Sequence, residues 1–175
     1  MERPQAVTAL GILDIAFGAI GVLGILLTLV RAKELSANPA VAAMYAAMYS
    51  SPEYLTWTRI HMPIAGVLSA LVLVAGIGLL RLRPWARTAS IAYGVVMVVM
   101  ACVSTFMFTK FALPTMLERA AGLSGSEAMV LKVAAYFTAC ASPIGLIYPG
   151  LLIFFLTRTH VQAAFAPPSL QPPLA

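Results

Sequence analysis

One acidic residue, Asp14, lies within a long apolar stretch near the start of the chain, where a carboxyl group could do chemistry that its neighbours cannot. The stretch runs over Val7–Val30 and contains no other charged side chain. A helix rises about 1.5 Å per residue, so a span beginning at Val7 would carry Asp14 roughly 10 Å into an apolar layer. Because a carboxylate costs about 2.5–3.5 kcal/mol there, it must face other protein groups or a water-filled cavity.

Two interpretations of Asp14 follow. The functional one is a proton or cation relay, or a contact to a substrate. The structural one is a hydrogen-bonded carboxyl group, protonated or paired with Tyr93, that fixes the register of neighbouring helices. Tyr93 is aligned with Leu13 when the chain is compared with itself at an offset of 80 residues, so its depth would match. We favour the structural interpretation.

Three glycines are spaced so that a helix places them on the same face as Asp14. Gly11, Gly18 and Gly21 occupy the a and d positions of a heptad together with Asp14. Glycines on one face of a membrane helix let a second backbone approach closely. The pattern predicts that these three are helix-packing residues and that Asp14 lies in a tight helix–helix contact.

The composition indicates that most of the surface of this chain contacts lipid. Of 175 residues, 61% are hydrophobic and 10% are charged, against about 25% charged in a typical soluble domain. Mean hydropathy is +0.94. The net charge of +5 is dispersed, without a run of five Lys or Arg. We therefore expect a lipid bilayer as partner and no nucleic acid.

Four stretches are long and apolar enough to cross about 30 Å of hydrocarbon as helices. They are Val7–Val30, Ile60–Leu80, Thr88–Thr109 and Val133–Thr157. The sequence thus predicts an all-α membrane protein, a four-transmembrane-helix bundle over residues 1–160. In the fourth span, Pro143 and Pro149 leave backbone carbonyls without donors and predict a helix kink.

The connection between the second and third spans sets the predicted orientation. It holds Arg81, Arg83 and Arg87 within seven residues, and positive charge in a short loop resists translocation. The loop and both termini are then cytoplasmic, N-in and C-in, and the Pro-rich residues 161–175 form a cytoplasmic tail. Both outer loops are predicted to contain short helices, one begun by Asn38-Pro39 and one begun by Pro114.

An internal match suggests a duplication. Arg3-Pro-Gln-Ala-Val-Thr-Ala9 recurs as Arg83-Pro-Trp-Ala-Arg-Thr-Ala89, and the outer-loop signals keep the same order in both halves. This favours two tandem parallel two-helix repeats, residues 3–80 and 83–160, related by an axis along the membrane normal. The alternative is that Arg-Pro is a general signal for helix entry.

The Arg-Pro start, the glycine-spaced first helix and the Gly78–Arg87 hairpin resemble those of bacterial four-helix (tetraspan) integral membrane proteins of uncharacterised function. The resemblance covers most of the chain between Arg3 and Arg158. It implies a four-span bundle in a bacterial plasma (inner) membrane. It brings no activity and no site residues with it.

The remaining residues able to do chemistry are not grouped. His61 and His160 fall at the predicted outer and inner ends of different spans, so each is interpreted as an interfacial residue. Cys102 and Cys140 lie within apolar segments and are expected to be small buried side chains. The sequence therefore predicts no metal ion, no cofactor and no catalytic set.

Three classes of function fit these features. The first is a non-enzymatic membrane protein that acts through helix association, as a homo-oligomer or as a small subunit of a membrane complex. The second is a small transporter or channel that uses Asp14 and the kinked fourth helix. The third, a membrane enzyme with a lipid or quinone substrate, has the least support because no face gathers two acid–base residues.

Overall fold

The computed structural model describes residues 5–37 and 39–165, and every element within these ranges is helical. The helices are α1 (Gln5–Ala37), α2 (Pro39–Met48), α3 (Pro52–Leu80), α4 (Pro84–Met107), α5 (Leu113–Ala121), α6 (Ser126–Ile144), α7 (Ile147–Leu156) and α8 (Thr159–Ala164). A π-helical segment, Phe108–Ala112, joins α4 to α5.

Three stretches within these helices are long and apolar enough to cross a membrane. They are Gln5–Thr28, Pro52–Leu80 and Pro84–Ala121. They carry many large apolar side chains on their exposed faces, among them Ile20 and Val67, which are 66% and 68% exposed. Such faces need lipid rather than water around them. The predicted all-α class and its membrane character are confirmed at this level.

The fourth predicted span is divided between two helices. α6 ends at Ile144 and α7 begins at Ile147. Pro149 has no N–H for the carbonyl four residues earlier, and its ring would clash with that carbonyl. A continuous helix is therefore interrupted, and Pro149 occupies the first turn of α7, where a helix does not use the N–H. α7 has 10 residues, roughly 15 Å, about half the hydrocarbon thickness.

The described residues form two compact units. The first unit consists of residues 5–23, 65–98 and 148–165, and the second of residues 24–64 and 99–147. The core of the first unit is built from buried apolar side chains of α1, α3, α4, α7 and α8. Its largest members are Leu79, Leu152, Leu156, Val7, Val72 and Val161.

The predicted cytoplasmic tail is described only over its first five residues. Val161 is fully buried in the core of the first unit, and Phe165 is 7% exposed there. α8 is thus packed against the helices that precede it. The Pro-rich residues 166–175 lie outside the described residues, as do Arg3 and Pro4, which open the first copy of the internal match.

The second unit has a core of its own around the short helices α2 and α5. Phe108, Met116 and Leu131 are its large buried members, and Met44 and Met48 of α2 pack against it. Helix α5 begins with a proline in its first turn, as predicted from Pro114. Asn38, the predicted cap of α2, lies outside the described residues.

The prediction that the cysteines are buried is wrong. Cys102 and Cys140 are both exposed, because each lies on an outward face of an apolar helix. A small apolar side chain is as well placed against lipid as against protein, so apolar sequence context alone does not distinguish the two. The His61 ring packs against Trp57 in the second unit, with centroids 5.5 Å apart and the ring planes tilted by 33°. The side chain of His160 is outside the described part.

Candidate functional site

Asp14 lies in α1 with its side chain completely buried in the first unit. The Ser90 hydroxyl of α4 donates a hydrogen bond of 2.8 Å to Oδ2 of Asp14. The Tyr148 hydroxyl of α7 donates to Oδ1. A buried carboxyl group without partners would be strongly destabilising, and here both oxygens are satisfied. The carboxyl group therefore joins α1 to two helices that are far from it in the chain.

Tyr93, the predicted partner of Asp14, is not one of its hydrogen-bond donors. Tyr93 is buried in the same core, 7% exposed, one helical turn after Ser90 on α4. Residues three apart lie on the same helix face, so the predicted face of α4 is the one that contacts Asp14. The donor is Ser90, one turn earlier.

Tyr148 was not anticipated from the sequence, although a signal was present. It lies between Pro143 and Pro149, the two prolines from which the kink was predicted, and it follows the interruption at residues 145–146. Its ring packs against Phe17 of α1, with 4.3 Å between centroids and the ring planes tilted by 33°. A hydroxyl-bearing residue at a helix break was thus the available indication of a partner for the carboxyl group.

A shallow groove passes the Tyr148 ring on the surface of the first unit. It encloses about 190 Å³ between α1 and α7, and its lining is apolar. The other large side chains along it are Leu10, Leu13, Leu151 and Phe155. Asp14 is not part of this lining and has no exposed surface. The groove is suited to a hydrocarbon chain, and its lining gives an ion or a proton no polar path to Asp14.

The three predicted packing glycines all face α3. A Cβ atom at position 18 would lie 2.6 Å from Cβ of Leu73 and 2.8 Å from its Cα. A Cβ atom at Gly11 would lie 3.2 Å from the carbonyl oxygen of Gly76, and one at Gly21 would overlap Ser69. Helices α1 and α3 therefore touch through their backbones within the first unit.

The contact between α1 and α3 positions Asp14 from the other side. A Cβ atom at Gly76 would lie 2.8 Å from Cβ of Asp14, so this α3 glycine makes room for the acidic side chain. Pro149 is fully buried on α7, and its carbonyl oxygen would lie 3.3 Å from a Cβ atom at Gly94 of α4. Pro143 lies in the last turn of α6, and its side chain is outside the described part.

The chemistry available to this site is that of one hydrogen-bonded carboxyl group. Among the described residues, no group of three His, Cys, Asp or Glu side chains is placed to hold a metal ion. Comparisons with protein-family models, curated proteins and solved structures find no match to this chain. Function is therefore argued from the geometry of Asp14 and of the helix surfaces.

Proposed function

We propose that the chain is a non-enzymatic integral membrane protein that acts through association of its helices, as a homo-oligomer or as a small subunit of a membrane complex. The observation that carries this proposal is the closed network around Asp14. Its carboxyl group is fully buried, and both oxygens accept hydrogen bonds from within the first unit. A carboxyl group that is buried and hydrogen-bonded in this way stabilises the fold. The surfaces that remain for contact with other molecules are the exposed faces of the helices.

We infer four spans, with α6 and α7 together forming the fourth, and two tandem repeats. The order long helix, short helix, long helix occurs as α1, α2, α3 and again as α4, α5, α6. The short helix begins at or next to a proline in both halves, Pro39 and Pro114. This recurrence supports the duplication and the four-span count.

We further propose the N-in, C-in orientation in a bacterial plasma membrane. Arg81, Arg83, Arg87 and Arg158 all belong to the first unit, in keeping with a cytoplasmic end. In a variant without Cys102 and Cys140, Ser124→Cys is expected to react in intact cells with a membrane-impermeant maleimide. Ser169→Cys is expected to react only after permeabilisation. The reverse pattern would contradict the orientation.

An exposed glycine offers a contact for helix association. Apart from its chain neighbours and the adjacent backbone of α7, no atom lies within 4 Å of the position that a Cβ atom of Gly150 would occupy. Ile147 and Phe154, one turn away on either side, are 59% and 49% exposed. A small residue between large apolar ones forms a notch into which a second membrane helix can pack closely.

Gly150→Leu is expected to weaken self-association without weakening the fold, because it fills this notch and its Cβ atom enters open space. Overpacking of a contact costs about 1–3 kcal/mol, which corresponds to roughly 5-fold to 150-fold in the dissociation constant. Energy transfer between labelled copies in proteoliposomes, measured over a range of protein-to-lipid ratios, would report the change.

Val67→Leu is the matched control, because it also adds volume at an exposed apolar position but fills no notch. Its association should equal that of the wild type. A wild type that stays monomeric at every ratio, and that retains no stoichiometric partner after purification, would overturn the proposed function. Normal association of Gly150→Leu would exclude the notch as the contact.

A small transporter or channel is the second candidate, and Tyr148 is the observation that favours it. This half-buried side chain bonds to a buried carboxyl group from the first turn after a helix break. Broken helices beside ion sites recur in transporters. The candidate ranks second because the groove beside Tyr148 is apolar. An enzyme acting on a lipid or quinone is third, because the carboxyl group of Asp14 is fully buried and both its oxygens already accept hydrogen bonds.

A further inference from the structure

A second groove lies in the first unit at the turn between α3 and α4, and its walls are of two kinds. It encloses about 330 Å³. One wall is apolar, formed by Val74 and Ile77, and the other carries Arg81 and Arg83, with Trp85 beside them. A groove that is apolar along one part and cationic at its end matches an amphiphile with an anionic head.

The turn holds the two arginines in place. The Arg83 N–H donates to the Gly78 carbonyl at 3.0 Å, and the Leu82 N–H donates to Leu79 at 3.0 Å. This is a Schellman motif, in which glycine usually occupies the left-handed position. Here that position is Leu82, with φ of 53°, and its side chain packs against the core of the first unit. Such a conformation persists only where its surroundings fix it.

Because Leu82 points into the core, the arginines on either side of it remain at the surface. Both Arg81 and Arg83 are exposed. The contact between Gly78 and the next helix adds rigidity, since a Cβ atom there would lie 2.6 Å from Cβ of Ala86 and 2.9 Å from the Trp85 ring. The groove is therefore built by the turn rather than by flexible side chains alone.

The charges around the groove are not neutralised within the first unit. Its described residues contain one acidic side chain, Asp14, which is buried and bonded elsewhere. Two further arginines have their own contacts. Arg87 donates to the Leu156 carbonyl at 2.9 Å, and Arg158 lies 4.1 Å from the centre of the Phe154 ring. Arg81 and Arg83 are thus two neighbouring guanidinium groups without an acidic partner in the described part of this unit.

We propose that this groove binds an anionic phospholipid, with the phosphate at Arg81 and Arg83 and an acyl chain along Val74 and Ile77. Guanidinium groups bind phosphate oxygens in a bidentate manner, and two of them favour a head group that carries net negative charge. Val74 and Ile77 are 53% and 39% exposed, a surface that a free phosphate ion would leave uncovered. Trp85, 51% exposed, is a residue type that prefers the level of the lipid head groups.

The test is lipid binding by the purified full-length protein in detergent, measured by native mass spectrometry. Phosphatidylglycerol is expected to bind the wild type about tenfold to thirtyfold more tightly than phosphatidylcholine. Arg81→Gln/Arg83→Gln should remove most of this preference. Lys110→Gln/Arg119→Gln removes the same charge from exposed positions of the second unit and should keep it. Circular dichroism would verify that both variants retain the wild-type helix content.

Three results would overturn the proposal. One is a wild type without preference for phosphatidylglycerol. Another is an equal loss in both double variants, which would mean that overall charge and not the groove is responsible. The third is competition by inorganic phosphate at the concentration at which the lipid binds, which would show that the site recognises the anion alone. Val74→Ser supplies a further check, because it spares the arginines and should weaken lipid binding but not any binding of phosphate.

Discussion

Gly18→Leu is expected to lower the free energy of unfolding in detergent by about 2–3 kcal/mol, a large effect for one substitution. The first added carbon would lie 2.6–2.8 Å from backbone and Cβ atoms of Leu73. Backbone atoms cannot rotate away as a side-chain end can, so α1 must move off α3. That movement would also loosen the neighbouring contact of Gly11 with α3. It would change the close fit between Gly76 and the Asp14 side chain as well.

Thermal unfolding in detergent, followed by circular dichroism, would measure this loss. Gly24→Leu is the matched control, because it makes the same substitution on the same helix at a position where a Cβ atom would meet nothing within 4 Å beyond its chain neighbours and the adjacent backbone of α1. Its melting temperature should stay close to that of the wild type. A Gly18→Leu protein as stable as the control would show that α1 does not pack against α3 through this face.

Asp14→Leu is expected to destabilise the protein by about 1–3 kcal/mol. Leucine removes the acceptor of two hydrogen bonds and leaves the hydroxyls of Ser90 and Tyr148 without it. Asp14→Asn keeps the size of the side chain and one carbonyl acceptor, so its loss should be clearly smaller. Tyr148→Phe keeps the ring on Phe17 and deletes one donor, and about 1 kcal/mol is expected. Chemical denaturation in mixed micelles would rank the three variants.

The same variants separate the structural role of Asp14 from a transport role. Asparagine has no side-chain group that ionises near neutral pH, so a relay at this position would stop in Asp14→Asn while stability is retained. Vesicles that contain the reconstituted protein and a pH-sensitive dye would show this. A proton or cation flux in the wild type that is absent in Asp14→Asn would establish the transporter and overturn our proposal. Equal dye responses in wild type, Asp14→Asn and empty vesicles would leave the carboxyl group as a residue that fixes helix register.

The helical membrane class was predictable because it depends on properties that are additive along the chain. Twenty or so apolar residues in a row need a membrane-length helix whatever their neighbours are, and three such stretches occur in the described residues. The close packing of α1 through its glycines was predictable for a similar reason. Positions 11, 18 and 21 share a face in any helix, and a face of glycines suits a close helix contact.

The structure of the fourth predicted span, Val133–Thr157, was predictable only in part. Pro143 and Pro149 predict an interruption, because a proline has no N–H to donate to a backbone carbonyl of the helix. The structure places the interruption at residues 145–146, so that Pro149 falls in the first turn of α7, where its missing N–H is not needed.

The exposed cysteines show a second limit of prediction from sequence. Lipid and the protein interior both favour apolar side chains, so the apolar context of Cys102 and Cys140 does not tell which of the two they contact.

What the sequence by itself determined is that Asp14 needs partners, because burial of a carboxyl group among apolar residues is unfavourable whatever surrounds it. Only the tertiary structure decided which residues those partners are. Ser90 and Tyr148 are 76 and 134 positions away in the chain. Ser90 and Tyr93 share a face of α4, so the position of α4 along its axis relative to α1 selects Ser90 as the donor. That position depends on how the side chains of α1, α3, α4 and α7 pack together, and no periodicity within a single helix specifies it.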